Sequence, residues 1–96
     1  MEYPIIMGGE LTTLRPMGGV VNAVTIVQRN DWQWHIEVNV SWRGNKTFIM
    51  GHFDKLQIRS FKRSAFAQYL VQSRFGFVSE IIIRPMEGAP LPERFT

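Results

Sequence analysis

Four titratable side chains near the middle of the chain are spaced as a small polar site would be. They lie in DWQWHIEVNVSWRGNKTFIMGHFD, residues 31–54, which holds both histidines of the chain. A two-residue turn at Gly44-Asn45 predicts a hairpin register in which each histidine faces a carboxylate. The predicted pairs are Glu37 with His52 and His35 with Asp54. Such pairs could supply a general base with its orienting partner, or hold a metal ion. Because opposite charges are also ordinary neighbours across a hairpin, worth about 0.2–1 kcal/mol each, we favour a structural interpretation.

The same register predicts a second group on the polar face of the hairpin. Phe48 and Met50 would lie there beside Arg43 and Lys46, the two residues that flank the turn. Aromatic and basic side chains together on a sheet face are what unstacked nucleotides need. The alternative is that Phe48 and Met50 are covered by a helix or by a dimer contact.

The positive charge of the chain is concentrated in one segment. The net charge is +3, and residues 49–75 hold five basic residues against Asp54 alone. These basic residues are Lys55, Arg59, Lys62, Arg63 and Arg74. Four of them surround the expected start of a helix, where cations and free backbone amides together favour phosphate. A solvated basic surface is the alternative interpretation.

The elements that would position these side chains follow from hydrophobic periodicity. Residues 32–42 alternate apolar and polar, which predicts a strand with Trp34, Ile36, Val38 and Val40 inward. The other two tryptophans, Trp32 and Trp42, share that face, so we expect core or interface positions rather than a stacking platform for bases. Residues 19–29 are apolar on both sides and predict an interior strand. Residues 77–84 predict the last strand, and 55–61 an extended segment that is either a separate strand or a bent continuation.

One helix is predicted, over SAFAQYLVQSRFG. Ser64 is a suitable N-cap, and Gly76 accepts the left-handed conformation that ends a helix. The predicted apolar stripe consists of Phe66, Ala67, Leu70 and Val71, with Gln68 and Gln72 facing away. We therefore expect Leu70 to be buried against the sheet.

These elements predict a single α+β domain over residues 1–96. Its sheet would be mostly antiparallel, with about five or six strands and one helix packed on one face, between the penultimate and last strands. PIIM and LTTLR near the N-terminus are expected to be short strands, the two MGG copies turns, and about 86–96, which is rich in proline, an extended tail.

The sequence excludes several functional classes. There is no cysteine, and no HExxH, GxSxG, GxGxxG or Walker pattern. No segment has the length of a membrane span or the character of a signal peptide, so we expect a cytoplasmic protein without a cofactor or membrane contact.

The leading hypothesis is a non-enzymatic basic binding module that meets nucleic acid through residues 55–74. The alternative is an interaction module that forms a homodimer or docks on an acidic protein. A further alternative is a small-ligand pocket lined by Trp32, Trp34 and Trp42.

Overall fold

A computed structural model describes residues 3–76, 78 and 80–86 of the chain. It has five strands and two helices, and the longer helix packs against the second and third strands. The elements are β1 (Ile5–Ile6), α1 (Gly8–Leu11), β2 (Val21–Gln28), β3 (Trp34–Val40), β4 (Lys46–Met50), α2 (Ser64–Arg74) and β5 (Ile81–Arg84). The fold is therefore a mixed sheet with one main helix. Neither helix in these ranges is long and apolar enough to cross a bilayer.

The strands lie side by side in the order β1-β4-β3-β2-β5. The two inner pairings, β4 with β3 and β3 with β2, are antiparallel, whereas β1–β4 and β2–β5 are parallel. The prediction of a mostly antiparallel sheet is thus wrong, because only β3 runs against the other four strands. β4 and β5 point the same way, and parallel strands need a crossover, which the stretch containing α2 provides.

The core lies between this sheet and α2. Along β3 the predicted inward positions are confirmed, since Trp34, Ile36, Val38 and Val40 are all at least 95% buried, although His35 on the other face is buried as well. Val24 and Ile26 of β2 are fully buried beside them. Burial of an aliphatic side chain of this size stabilises the fold by roughly 1.5–3 kcal/mol, so these two strands carry much of the stability.

The hairpin register differs from the predicted one. Glu37 pairs with Ile49, and Val38 with Phe48, so the partner of Glu37 lies three residues earlier than His52. An odd shift exchanges the two faces of a strand. Phe48 and Met50 therefore point into the core, 9% and 2% exposed, and the prediction that placed them on the polar face is wrong.

A five-residue connection, 41–45, replaces the predicted two-residue turn. Residues Ser41–Arg43 form a single 3-10 turn, and Gly44 and Asn45 then adopt left-handed conformations with φ of 69° and 59°. The side-chain amide of Asn39 donates to the carbonyl oxygen of Asn45 at 2.6 Å, which closes the loop on the end of β3. Longer loops that contain left-handed residues are a normal alternative to two-residue turns.

Residues 51–61 are neither a separate strand nor a continuation of β4. They make two isolated bridges, Gly51 with Ile58 and Trp34 with Phe61. The chain folds back so tightly that a Cβ on Gly51 would lie 2.9 Å from the carbonyl oxygen of Lys55. His52 and Asp54 are exposed in this turn and lie outside the hairpin ladder.

Helix α2 forms where predicted but presents a different face. Arg63, not Ser64, occupies the N-cap position, while Gly76 follows the helix with φ of 72°, as expected. Ala67 and Val71 are fully buried. Leu70 packs against the core but is only partly buried, so its predicted burial against the sheet is met only in part.

At the N-terminus, PIIM contains β1, as predicted. The first MGG copy leads into α1, which also includes Leu11, so the predictions of a turn there and of a strand over LTTLR are wrong. Residues 87–96 of the predicted tail lie outside the described residues, as do 77 and 79 of the predicted last strand.

Candidate functional site

An open groove runs along one side of α2. It has a volume of about 750 Å³, and we call it the α2 groove. Its lining residues are Arg59, Phe61, Phe66, Tyr69, Leu70, Ser73 and Arg74. The helix contributes five of the seven, and the segment before it contributes Arg59 and Phe61. The groove therefore lies between α2 and the residues that lead into it.

The helical repeat explains why aromatic rings line this groove. Ala67 and Val71, four residues apart, face the sheet, so side chains on the adjoining face point past it. Phe66 is 58% exposed and Tyr69 is 72% exposed. They are three residues apart and hence neighbours on one side of the helix. The result is a pair of solvent-facing rings on a rigid element.

Arg59 is held at the groove by an aromatic contact and by the main chain. Its guanidinium carbon lies 5.3 Å from the centroid of the Phe61 ring, within cation–π range. Phe61 is fixed because its N–H and carbonyl oxygen exchange hydrogen bonds of 2.8 Å with Trp34. The backbone N–H of Arg59 donates to the carbonyl oxygen of Met50 at 3.2 Å. Contacts with β4 directly, and with β3 through Phe61, thus hold Arg59 in place at the groove.

A second, smaller cavity continues the groove toward the end of β4. It has a volume of about 50 Å³ and shares Arg59, Leu70 and Arg74 with the α2 groove. Its remaining lining comes from Gly8, Thr12, Met50, Gly51, Phe53 and Phe75. Partly buried Leu70 stands where the two cavities meet. A ligand in the groove would therefore contact an apolar floor, with Arg74 on the side of α2 and Arg59 on the side of the preceding segment.

The electrostatics of the site are one-sided. None of the described residues that line the α2 groove is acidic. Lys62 and Arg63 are exposed immediately before the helix, whose N-terminus carries a partial positive charge. Within the described ranges, neither they nor Arg59 and Arg74 take part in an ion pair. These four cations are available to an anionic ligand.

The other predicted binding residues lie elsewhere. The guanidinium of Arg43 donates to both carboxylate oxygens of Glu10, at 2.7 and 2.8 Å, and lies over the ring of buried Phe48 at 5.4 Å. Hydrogen bonding to Arg43 lowers the pKa of Glu10 and raises that of Arg43. Lys46 is exposed at the start of β4, and Lys55 is exposed in the turn after it. The structure thus places Arg59 in the groove lining and leaves Lys62 and Arg63 exposed just before α2, whereas Arg43 is paired with Glu10.

The predicted His–carboxylate cluster is divided by the observed register. His35 Nε2 lies 3.0 Å from Glu37 Oε2, two residues along the same strand, and His35 is 6% exposed. They line a cavity of about 370 Å³ with Tyr3, Arg29, Asn30, Ile49 and Ile58. His52 and Asp54 do not join them. In the described part of the chain, no three His, Asp or Glu side chains are close enough to share a metal ion.

The three tryptophans occupy three different environments. Trp34 is in the core, and Trp42 packs partly against it while its Nε1 donates to Glu10 Oε2 at 2.7 Å. Trp32 is 51% exposed in a turn, with φ of 68°. None of the three lines the α2 groove.

The sequence pattern did not single out Tyr69, which lines the groove, and it placed Phe66 on the buried stripe of the helix. The available signal was that α2 carries apolar residues around most of its circumference, more than one sheet-facing stripe can bury. A helix with that excess leaves some of its apolar residues outside the core, as Phe66 and Tyr69 are here. Comparison of the chain with protein-family models, with curated proteins and with solved structures finds no match.

Proposed function

We propose that this chain is a non-enzymatic module that binds single-stranded nucleic acid in the α2 groove. The observation that carries the proposal is that two largely exposed rings, Phe66 and Tyr69, line the same open groove as Arg59 and Arg74. Stacking rings and phosphate-binding cations are the two components that single-strand binders combine.

The aromatic residues would provide the base contacts. Every base has a π face, so a ring on a rigid helix can stack with any of them, with roughly 1–3 kcal/mol per stacked base. Phe66 and Tyr69 are suited to this because α2 is anchored through Ala67 and Val71, and the rings remain outside the core. Exposed aromatic groups that border a groove commonly mark a binding surface.

The basic residues would follow the backbone of the strand. Arg59 and Arg74 border the groove, and Lys62 and Arg63 continue the positive surface to the start of the helix. Contacts of this type release counterions from the phosphates, and binding therefore weakens as salt rises. They contact phosphate rather than base edges, so we expect little sequence preference.

The groove favours single strands over duplexes. In a duplex the bases are stacked on one another and are not accessible to a ring on a helix surface. Phe66 and Tyr69 would then contribute nothing to the affinity for a duplex, and only the basic residues would bind it.

Fluorescence anisotropy with labelled single- and double-stranded oligonucleotides tests the proposal. At about 50 mM salt, Phe66→Ala and Tyr69→Ala should each weaken single-strand binding by roughly 1–3 kcal/mol and leave duplex binding nearly unchanged. Arg59→Gln and Arg74→Gln should weaken binding to both. Each should also flatten the slope of log affinity against log salt by about 0.7 on single strands.

Two matched controls separate the groove from the rest of the surface. Trp32→Ala removes an exposed ring, and Lys46→Gln removes an exposed cation, both outside the groove lining. Both should bind like the unmodified chain. Absence of binding to any oligonucleotide at low salt would overturn the proposal and leave the interaction module as the better hypothesis.

A further inference from the structure

Strand β5 is an apolar edge bounded by opposite charges. It lies at the outside of the described sheet and is paired there with β2 alone. Ile81, Ile82 and Ile83 are 39%, 37% and 39% exposed, and exposed Glu80 and Arg84 stand at either end. An edge strand of this kind is a template for pairing with another strand.

The hydrogen-bonding pattern shows which backbone groups of β5 face outward. The backbone N–H of Val24 donates to the carbonyl oxygen of Glu80 at 3.0 Å, and Val24 is aligned with Ile81. In a parallel ladder, this hydrogen bond means that the N–H and carbonyl groups of residues 80, 82 and 84 point toward β2. The N–H and carbonyl groups of Ile81 and Ile83 therefore point to the outer edge.

We propose that this edge pairs with the same edge of a second copy of the chain, antiparallel, with a two-fold axis at Ile82. Ile81 would face Ile83 of the second copy, and each such pair would exchange two main-chain hydrogen bonds, because both residues point outward. Ile82 would face its own counterpart in a non-hydrogen-bonded pair. The interface is isologous and closes as a dimer in which the five described strands of each copy form one continuous sheet.

The flanking charges select this register and this direction. With the axis at Ile82, Glu80 of each copy lies opposite Arg84 of the other, on the same face as Ile82. A parallel in-register pairing would instead set Glu80 against Glu80 and Arg84 against Arg84. Moving the axis to Ile81 or Ile83 would instead place Glu80 and Arg84 opposite uncharged residues or leave them unpaired. A second copy is therefore the occupant that complements the order acid, three isoleucines, base.

Cysteine crosslinking tests the register, and the chain has no cysteine of its own to interfere. In a non-hydrogen-bonded antiparallel pair the Cα atoms are about 4.5 Å apart, within disulfide range. Ile82→Cys should therefore form a disulfide dimer under mild oxidation. Ile81→Cys and Ile83→Cys should not, since each would lie about 8–9 Å from its own counterpart in this register.

Charge reversal tests the pairing independently. In Glu80→Arg, two pairs of arginines would face each other across the interface, and in Arg84→Glu two pairs of glutamates would do so. Because like charges repel, each variant should dimerise at least about tenfold more weakly than the unmodified chain. An equimolar mixture of the two should recover the dimer in sedimentation velocity, because each arginine then faces a glutamate. Lys55→Glu, which changes the net charge as Arg84→Glu does, should leave the dimer intact.

Several outcomes would overturn the inference. These are a monomeric chain at about 100 µM, a mixture of the two charge variants that fails to associate, and equal crosslinking of all three cysteine variants. None of these measurements involves an oligonucleotide, so their failure is distinct from failure of the proposed function.

Discussion

At the residue scale, Glu10 joins two parts of the structure that are far apart in the chain. Its carboxylate accepts hydrogen bonds from Trp42 Nε1 and from the Arg43 guanidinium, more than thirty positions later in the chain. These contacts hold the 3-10 turn between β3 and β4. They connect α1 to the hairpin loop and help to explain why the loop has five residues rather than two.

We expect Glu10→Gln to lower the free energy of unfolding by roughly 1–2 kcal/mol near neutral pH, because charge-assisted hydrogen bonds to two partners are lost. Since Arg43 lowers the pKa of Glu10 from 4.5, the stabilising effect is present in full above about that pH. It is lost as pH falls through the lower folded-state pKa.

Urea unfolding of the unmodified chain and of Glu10→Gln at several pH values measures this. The difference between the two should shrink as pH falls below 4.5. Asp31→Asn is the matched control, because Asp31 also pairs with an arginine but is 52% exposed. A difference that grows on acidification would contradict the assigned role of Glu10.

Some residue-level features could be read from the sequence and others could not. The alternation of β3 and the left-handed Gly76 depend on local physics, namely the period of a strand and the tolerance of glycine for positive φ. The hairpin loop, in contrast, contacts Glu10, which lies far from Gly44-Asn45 in sequence. No local rule for turns contains that information.

At the scale of elements, α2 has apolar residues on two sides. Ala67 and Val71 attach it to the sheet, while Phe66 and Tyr69 line the groove and Leu70 lies between these sides. The sequence predicted the helix because its length and end residues are local properties. It did not predict which side is buried, because apolar residues on both sides satisfy the same helical spacing.

We therefore expect Val71→Ala to destabilise the chain by roughly 2 kcal/mol, as a fully buried methyl pair is removed. Gln72→Ala, at an exposed neighbouring position, should stay within about 0.5 kcal/mol. Chemical denaturation followed by circular dichroism measures both. A larger effect at Gln72 than at Val71 would mean that the helix packs on another face.

At the scale of the whole molecule, the topology depends on how the two ends of the chain join the sheet. The middle of the chain, β2 to β4, makes an antiparallel meander that local patterns predicted in outline. β1 and β5 then add in parallel at opposite edges. Parallel pairing depends on contacts between residues far apart in sequence, such as Ile5 with Ile49 and Val24 with Ile81, so strand patterns alone could not reveal it.

The parallel pairing of β5 at the edge of the sheet affects the order in which parts of the protein unfold and refold. The meander consists of contacts between strands that are close in sequence, which form quickly, whereas about fifty residues separate β5 from its partner β2. In native-state hydrogen exchange of dilute protein, the β5 amides that bond to β2 should open at lower free energy than those between β2 and β3. Equal opening energies would indicate a single cooperative unit. A lower opening energy for β5 would mean that the sheet opens first at its edges and that its centre forms first on refolding.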